Sequence, residues 1–301
     1  PGLQEGGRDP AVSANATPGR RKKGKTQSRT TFFPRFIAVV LILLAFVGFL
    51  FYLLQPVTFT YRGMTMEAVP GVAVNRYDPD GFYTDEKGRV QYTSKGASAR
   101  AGIDVSYSQG DIDWPAVAAD GVDFAIIRLG YRGYTQGAIQ TDSCFYQNIQ
   151  GALDAGLDVG VYFFSQAITP EEARQEADYT LSLLESYPIT CPVVYDWEPI
   201  TFAEGARTDQ LEHEVLTQCA AAFCQRVAQA GYTPAVYFNQ EMGYFSFDLK
   251  ELSPFQFWLA EYDSYPSFYY GFTLWQYTHE GRVDGIQTPV DWNLDFSQLK
   301  R

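Results

Sequence analysis

The stretch PVVYDWEPI, residues 192–200, is an apolar run that ends on two carboxylates with a Trp between them. It predicts a buried strand, and a strand turns successive side chains to opposite faces. Asp196 and Glu198 therefore point the same way, with Cα atoms about 6.5–7 Å apart. Two like charges so close are costly in a partly buried place unless one keeps its proton. Acid catalysis requires that arrangement, whereas a purely structural strand gains nothing from it.

Outward from this stretch the same texture recurs. From Ala101, apolar strands alternate with helical segments, the pattern of an α/β fold. The expected strands are 101–106, 124–129, 158–164, 192–198, 234–239, 257–262, 272–278 and 289–293. Their near-continuous hydrophobicity predicts a parallel sheet covered on both sides. Helices fall between the early strands. One has Asp113 as N-cap, Pro115 in its first turn and Gly121 as its stop; a second has Thr169 as cap and Pro170 at its first position. A third runs through residues 208–230, carries His213 in its middle and closes at Gly231. The last three strands follow too quickly for crossover helices. The expected fold is a modified TIM-like (β/α) barrel of about 200 residues with an incomplete helical ring.

In such barrels chemistry sits at the carboxyl ends of the strands. Those ends carry Asp104, Arg128, Tyr162, Asp196 with Glu198, Asn239, Glu261, Gln276 and Asp291. Asp104, Asp196, Glu198 and Asp291 are expected to converge, with Tyr107, Tyr162, Phe164, Trp275 and other aromatic residues beside them. Acids among aromatic faces match a neutral polyol such as a glycan and do not match a phosphate ester. Tyr195 and Trp197 should face away from the acids into outer packing. Asp113 is assigned to a helix cap; Asp123, Asp154 and Asp158 are assigned to turns. The two histidines, His213 and His279 (the latter expected in a loop), form no HExxH motif, and the chain has no nucleophile elbow and no Gly-rich phosphate loop. No metal and no cofactor are expected.

Charge is unevenly spread. Residues 1–35 hold eight Lys or Arg against two acids, +6, so the rest of the chain carries −18 of the total −12. The acidic body excludes nucleic acid as its partner. From Phe36 to Leu54 the chain is uncharged and almost wholly apolar, long enough for a membrane span. The basic cluster RRKKGK precedes it, which predicts a single-pass protein with a cytoplasmic N-terminus and an extracellular catalytic domain. The expected organisation is a disordered basic tail (1–35), a transmembrane helix (36–54), a linker or stalk (55–98) and a catalytic barrel (99–301). Within the stalk, GFYTDEKGRVQYT reads as a hairpin around a Lys-Gly turn, and TSKGASA as a flexible joint. The four cysteines are expected as buried or semi-buried thiols, although a Cys144–Cys191 pair is geometrically open. The protein is expected to be a monomer.

Taken in order, GIDVSYSQGDIDWPAV, FAIIRLGYRG, GVYFFSQA, VVYDWE, LWQYT and VDWNLDF resemble the successive motifs of the Chalaropsis-type lysozymes, glycoside hydrolase family 25, from about Gly102 to Phe296. The resemblance implies a barrel lacking helices beside its last strands and N-acetylmuramidase activity on bacterial peptidoglycan, without a cofactor. It also implies Glu198 as general acid, Asp196 as the group that stabilises developing charge or orients the acetamide, and Asp104 and Asp291 completing the acidic floor. Tyr162, Trp275, Gln276, Asn239 and Arg128 are the expected sugar contacts. Arg128 and Arg132, both expected near the mouth, could meet a lactyl or peptide-stem carboxylate. A chitinase-like glycosidase and a non-catalytic wall-binding or scaffold protein remain as alternatives.

Overall fold

The computed structural model describes residues 32–53 and 55–299. Residues 1–31, most of the expected basic tail, lie outside the described residues. One compact unit ends at Thr58 and the other begins at Phe59. The first contains α1 (Phe32–Leu53), a helix long and apolar enough to cross a membrane, with none of its apolar window buried.

The second unit opens with two small antiparallel motifs: β1 (Thr58–Tyr61) with β2 (Met64–Glu67), then β3 (Phe82–Thr84), β4 (Val90–Ser94) and β5 (Ala97–Ser98). The barrel follows in the order β6 (Arg100–Val105), α2 (Trp114–Ala119), β7 (Phe124–Arg132), β8 (Ile139–Thr141), α3 (Phe145–Asp154), β9 (Asp158–Phe164), α4 (Pro170–Leu184), β10 (Val193–Asp196) and α5 (His213–Gln229). It ends with β11 (Pro234–Asn239), α6 (Gln240–Phe245), α7 (Leu249–Leu252), β12 (Gln256–Ala260), β13 (Leu274–Gly281) and β14 (Val290–Asp295). The sheet order β6-β14-β13-β12-β11-β10-β9-β7 closes through β6–β7 into an eight-stranded barrel, with β8 added beside β7. No helix separates β12, β13 and β14, so the helical ring is incomplete.

The helix signals act where the sequence puts them. Asp113 accepts from the Ala116 amide at 3.2 Å and Thr169 from the Glu172 amide at 3.2 Å, each satisfying an orphan donor of a first turn. His213 opens α5 instead of lying in its middle, because residues 207–210 form a separate turn before it. His279 lies on β13, not in a loop, since β13 runs on past the barrel as one arm of a hairpin with β14.

One of the eight barrel strands departs from the all-parallel expectation. β14 is antiparallel to both β13 and β6, because the connection from β13 is too short to carry the chain back to the other end of the barrel. This reversal brings the first residues of β14 to the rim where the other strands end.

Alternation sorts the residues into two cores. Phe124, Ile126, Val194, Ala235, Tyr237, Trp258 and Leu274 fill the barrel, while Val161, Tyr195, Val236, Leu259, Trp275 and Leu294 belong to the cluster outside it. The lower end of the barrel is closed by Arg100, whose guanidinium meets Asp295 at 2.5 Å and also pairs with Asp158. Cys191 lies 3.7 Å from the same guanidinium; all four cysteines are free thiols, three buried and Cys144 half-buried.

The segment expected as a stalk is part of the folded unit. Tyr77 stacks on Phe296 at 4.2 Å and tilts against Phe272 at 5.1 Å, and Phe82 meets Trp275 edge-on at 5.4 Å. The strap is sewn down by main-chain bonds from Asn75 to Tyr269 and from Gly271 to Ala73. It covers the flank that the missing helices leave bare. The expected joint TSKGASA is the β4–β5 hairpin, in which Lys95 and Gly96 both take the positive φ that a tight hairpin turn demands.

Candidate active site

The upper layer of the barrel interior is set by alternation. Asp104 on β6, Arg128 on β7, Tyr162 on β9, Asp196 on β10, Tyr237 on β11, Gln276 on β13 and Asp291 on β14 share the inward phase of their strands. Asp104 and Asp291 are register partners across β6–β14, so two carboxyls stand side by side.

Asp104 is the most elaborately held. Its Oδ2 accepts from Asn293 Nδ2 at 2.8 Å and from Gln276 Nε2 at 2.8 Å. Asn293 Oδ1 accepts from the Trp258 indole at 2.8 Å, and Gln276 Oε1 accepts from the hydroxyls of Tyr237 and Tyr262, each at 3.0 Å. Each amide therefore has its orientation dictated by a neighbour. Burial, then the charge of Asp291, raises the Asp104 carboxyl well above its usual range, and the two amide donors only partly oppose this. Asp291 is pushed up to about 6, by burial first.

β10 ends at Asp196, so no strand holds Glu198 in register. The Asp196 carbonyl accepts from the Ser165 amide at 2.7 Å, while its buried Oδ1 has no hydrogen-bond partner among the described residues. Burial, Glu198 and Asp104 raise the Asp196 carboxyl well above its usual range, with Arg128 pulling it back. Glu198, half-buried, is raised by burial and by Asp104. Its main chain is fixed from the segment that follows β9: Gln166 Nε2 donates to the Glu198 carbonyl at 3.1 Å, and Gln166 Oε1 accepts from Thr208 at 2.6 Å. Arg207 joins the Gln166 carbonyl, at 3.2 Å, to the Glu172 carboxylate, at 2.8 Å. One buried glutamine thus clamps both ends of the loop that carries Glu198.

Arg128 lies near this group. Its Nε donates to Asp142 Oδ2 at 2.7 Å, its guanidinium lies over the rings of Tyr107 at 4.8 Å and Tyr131 at 5.6 Å, and its buried Nη2 is unpartnered among the described residues. Tyr162 sits at the top of the interior, edge-on to Trp258 at 6.2 Å, its hydroxyl held neutral by burial.

Four expected contacts fall elsewhere or do other work. Trp275 has the outward phase of β13, is fully buried, and spends its indole N–H on the Glu261 carbonyl at 2.8 Å, so it cannot touch a sugar. Gln276 is 3% exposed and serves Asp104 from below. Asn239 is exposed at the rim, but its Oδ1 is the N-cap of α6, accepting from the Met242 amide at 2.9 Å. Arg132 is not at the mouth: one residue out of Arg128's phase beyond the bulge in β7, it is buried against Glu176 at 2.6 Å. Tyr195 and Trp197 do pack outside the barrel.

Asn293 carried a usable signal, lying two residues from Asp291 on the same strand face. Gln166, Thr208 and Arg207 carried none, because their meeting depends on the path of a loop.

Comparison with known proteins adds to this geometry. The family model described as glycosyl hydrolases family 25 matches residues 103–286. The lysozyme M1 of Streptomyces globisporus is 30% identical over 204 residues, covering 64% of this chain and 66% of that protein. The autolytic lysozyme of Clostridium acetobutylicum is 27% identical over 198 residues, covering 65% of this chain and 56% of that protein. The chain thus spans between half and two thirds of the length of these two relatives. Among solved structures, the bacterial lysozyme from Streptomyces coelicolor matches with a TM-score of 0.55 at 26% identity, over 67% of this chain and 94% of that one. The modular autolysin LytC from Streptococcus pneumoniae matches with a TM-score of 0.56 at 26% identity, over 71% and 52%.

Proposed function

This chain belongs to glycosyl hydrolase family 25, and from that membership we propose that it is an N-acetylmuramidase, cutting the β-1,4 bond between N-acetylmuramic acid and N-acetylglucosamine in bacterial peptidoglycan. The observation that carries the reading is the convergence of four carboxyls at one barrel rim, all with raised pKa values. Burial and Asp104 favour the protonated form of Glu198, which delivers its proton to the glycosidic oxygen as the bond to the anomeric carbon breaks. The acetamide oxygen of the same sugar attacks that carbon, and Asp196 steadies the amide as it becomes positive. Water then opens the ring so formed and returns a proton to Glu198, which restores the acid. Asp104 and Asp291 complete the acidic floor beneath the pair. Tyr162 and Arg128 are the proposed substrate contacts.

We also propose that α1 anchors the protein, with the basic N-terminal residues in the cytoplasm and the barrel facing the wall. Digestion of purified peptidoglycan by the full chain in detergent tests the enzymatic reading. After borohydride reduction, mass spectrometry should find reduced N-acetylmuramic acid ends, absent with Glu198→Gln. Reduced N-acetylglucosamine ends would reassign the bond, and binding without new ends would support the scaffold alternative.

A further inference from the structure

An open groove of about 520 Å3 adjoins the acid cluster through Tyr262, which lines it and feels the charges of Asp291, Asp104 and Glu198. Its near wall is the loop after β12, Tyr262 to Ser264; its far wall is the β3–β4 turn, Lys87 to Val90; its floor includes the buried rings of Tyr277 and Trp292. The far wall precedes residue 103 and so lies outside the stretch that matches the family. Tyr262 belongs to both places, since it lines the groove and its hydroxyl donates to the same Gln276 that holds Asp104. Its own hydroxyl pKa is raised by burial and then by Asp291, Asp104 and Glu198, as expected of a ring at the edge of the acid cluster.

The charges in the groove are ordered. At the far end Arg282 is exposed and makes no ion pair among the described residues. Lys87, 57% exposed, lines the same groove and donates to both the carbonyl and the carboxylate of Asp120, and Arg89 is already committed to Asp120 and to the face of Trp292. At the near end are Asp263 and Glu280, both exposed; Glu280 is 4.0 Å from His279, whose ring tilts against that of Tyr262 at 4.6 Å. A glycan strand without peptide offers only the lactyl carboxylates of its muramic acids, close to the sugar, and nothing to the acids of the groove. The peptide stem on muramic acid offers both, free carboxylates and, in many walls, a free amine.

We propose that this groove receives the peptide stem of the substrate, its amine toward Asp263 and Glu280 and its terminal carboxylate toward Arg282 and Lys87. The inference rests on the muramidase reading, and it makes the β3–β4 hairpin a specificity element for peptide-bearing strands. A stem leaving a muramic acid seated by Tyr262 passes the acids first and the cations last, which is the order that a peptide with a distal carboxylate requires.

The test uses the full chain in detergent and two substrates: uncross-linked peptidoglycan strands, and the same strands stripped of peptide by an amidase. Arg282→Glu, at an exposed site, should raise KM on peptide-bearing strands by about three- to tenfold and leave kcat and the stripped strands unchanged. Asp263→Lys should act on the same substrate only. Equal effects on both substrates, or none on either, would overturn the proposal. If the unaltered chain cleaves neither substrate, the muramidase reading fails separately. Titration with the amidase-released stem peptide then decides the groove: saturable binding lost in Arg282→Glu upholds it, and no saturable binding rejects it.

Discussion

A fragment beginning at residue 99, where the sequence alone would cut the catalytic domain free, should not fold stably. Such a cut removes Tyr77, Phe82, Val90 and Tyr92 from the flank of β12–β14. Val90 and Tyr92 are buried residues of the core, and Phe272, Trp275 and Phe296 beneath the strap are no more than 1% exposed. Fully burying one large apolar side chain contributes about 1.5–3 kcal/mol. Losing two such residues and uncovering part of three more amounts to roughly 5–10 kcal/mol. That is comparable with the whole stability of a typical domain, about 5–15 kcal/mol. Urea and thermal unfolding of fragments 59–301 and 99–301, followed by near-ultraviolet circular dichroism, makes the comparison. The longer fragment should unfold cooperatively; the shorter should show no near-ultraviolet signal and should bind a hydrophobic dye. A milder form, Tyr92→Ala in the longer fragment, should cost about 3 kcal/mol and lower Tm by about 6–12 °C. If the two fragments melt within about 3 °C of each other, the strap contributes almost nothing and the reasoning is wrong.

Other perturbations address the site. Gln166→Met keeps the volume but frees the Glu198 carbonyl and Thr208; kcat should drop by about ten- to a hundredfold with KM little changed, consistent with a 1.4 kcal/mol loss per factor of ten, and an unchanged kcat would remove the clamp from the account. Breaking the buried Arg132–Glu176 pair with Arg132→Ala should destabilise the domain by about 3–5 kcal/mol, read by urea unfolding. The raised carboxyls also make a pH prediction. The folded state holds protons on them that the unfolded chain has already lost, so stability should fall as pH rises through the interval between the unfolded and folded values. For Asp291 that interval runs from 3.8 to about 6. Asp291→Asn should flatten the Tm profile across it, and an unaltered slope would show that folding does not raise the Asp291 pKa.

Much of the barrel was legible because each strand is a short apolar run and each helix carries its own cap. Asp113 and Thr169 satisfy first-turn amides through local bonds that sequence spacing alone specifies. The inward phase of Asp104, Asp196 and Asp291 was legible for the same reason, since alternation is a property of the strand itself. Trp275 shows where this reasoning slips: it sits at a strand end like its neighbour Gln276, and only the phase decides which of the two faces the interior.

The residue types along the chain determined by themselves a barrel with acids at its rim and a helix apolar enough for a membrane, because periodicity, capping and span length are local. Tertiary structure alone decided three things: that β14 runs backward and brings Asp291 to Asp104, that Gln166 holds the Glu198 loop, and that residues 59–98 are wall and not tether. Each depends on surfaces distant in sequence meeting in space. The bare flank of β12–β14 could be covered by any apolar segment that reaches it, and nothing local in Tyr77 or Tyr92 names Phe296 as its partner.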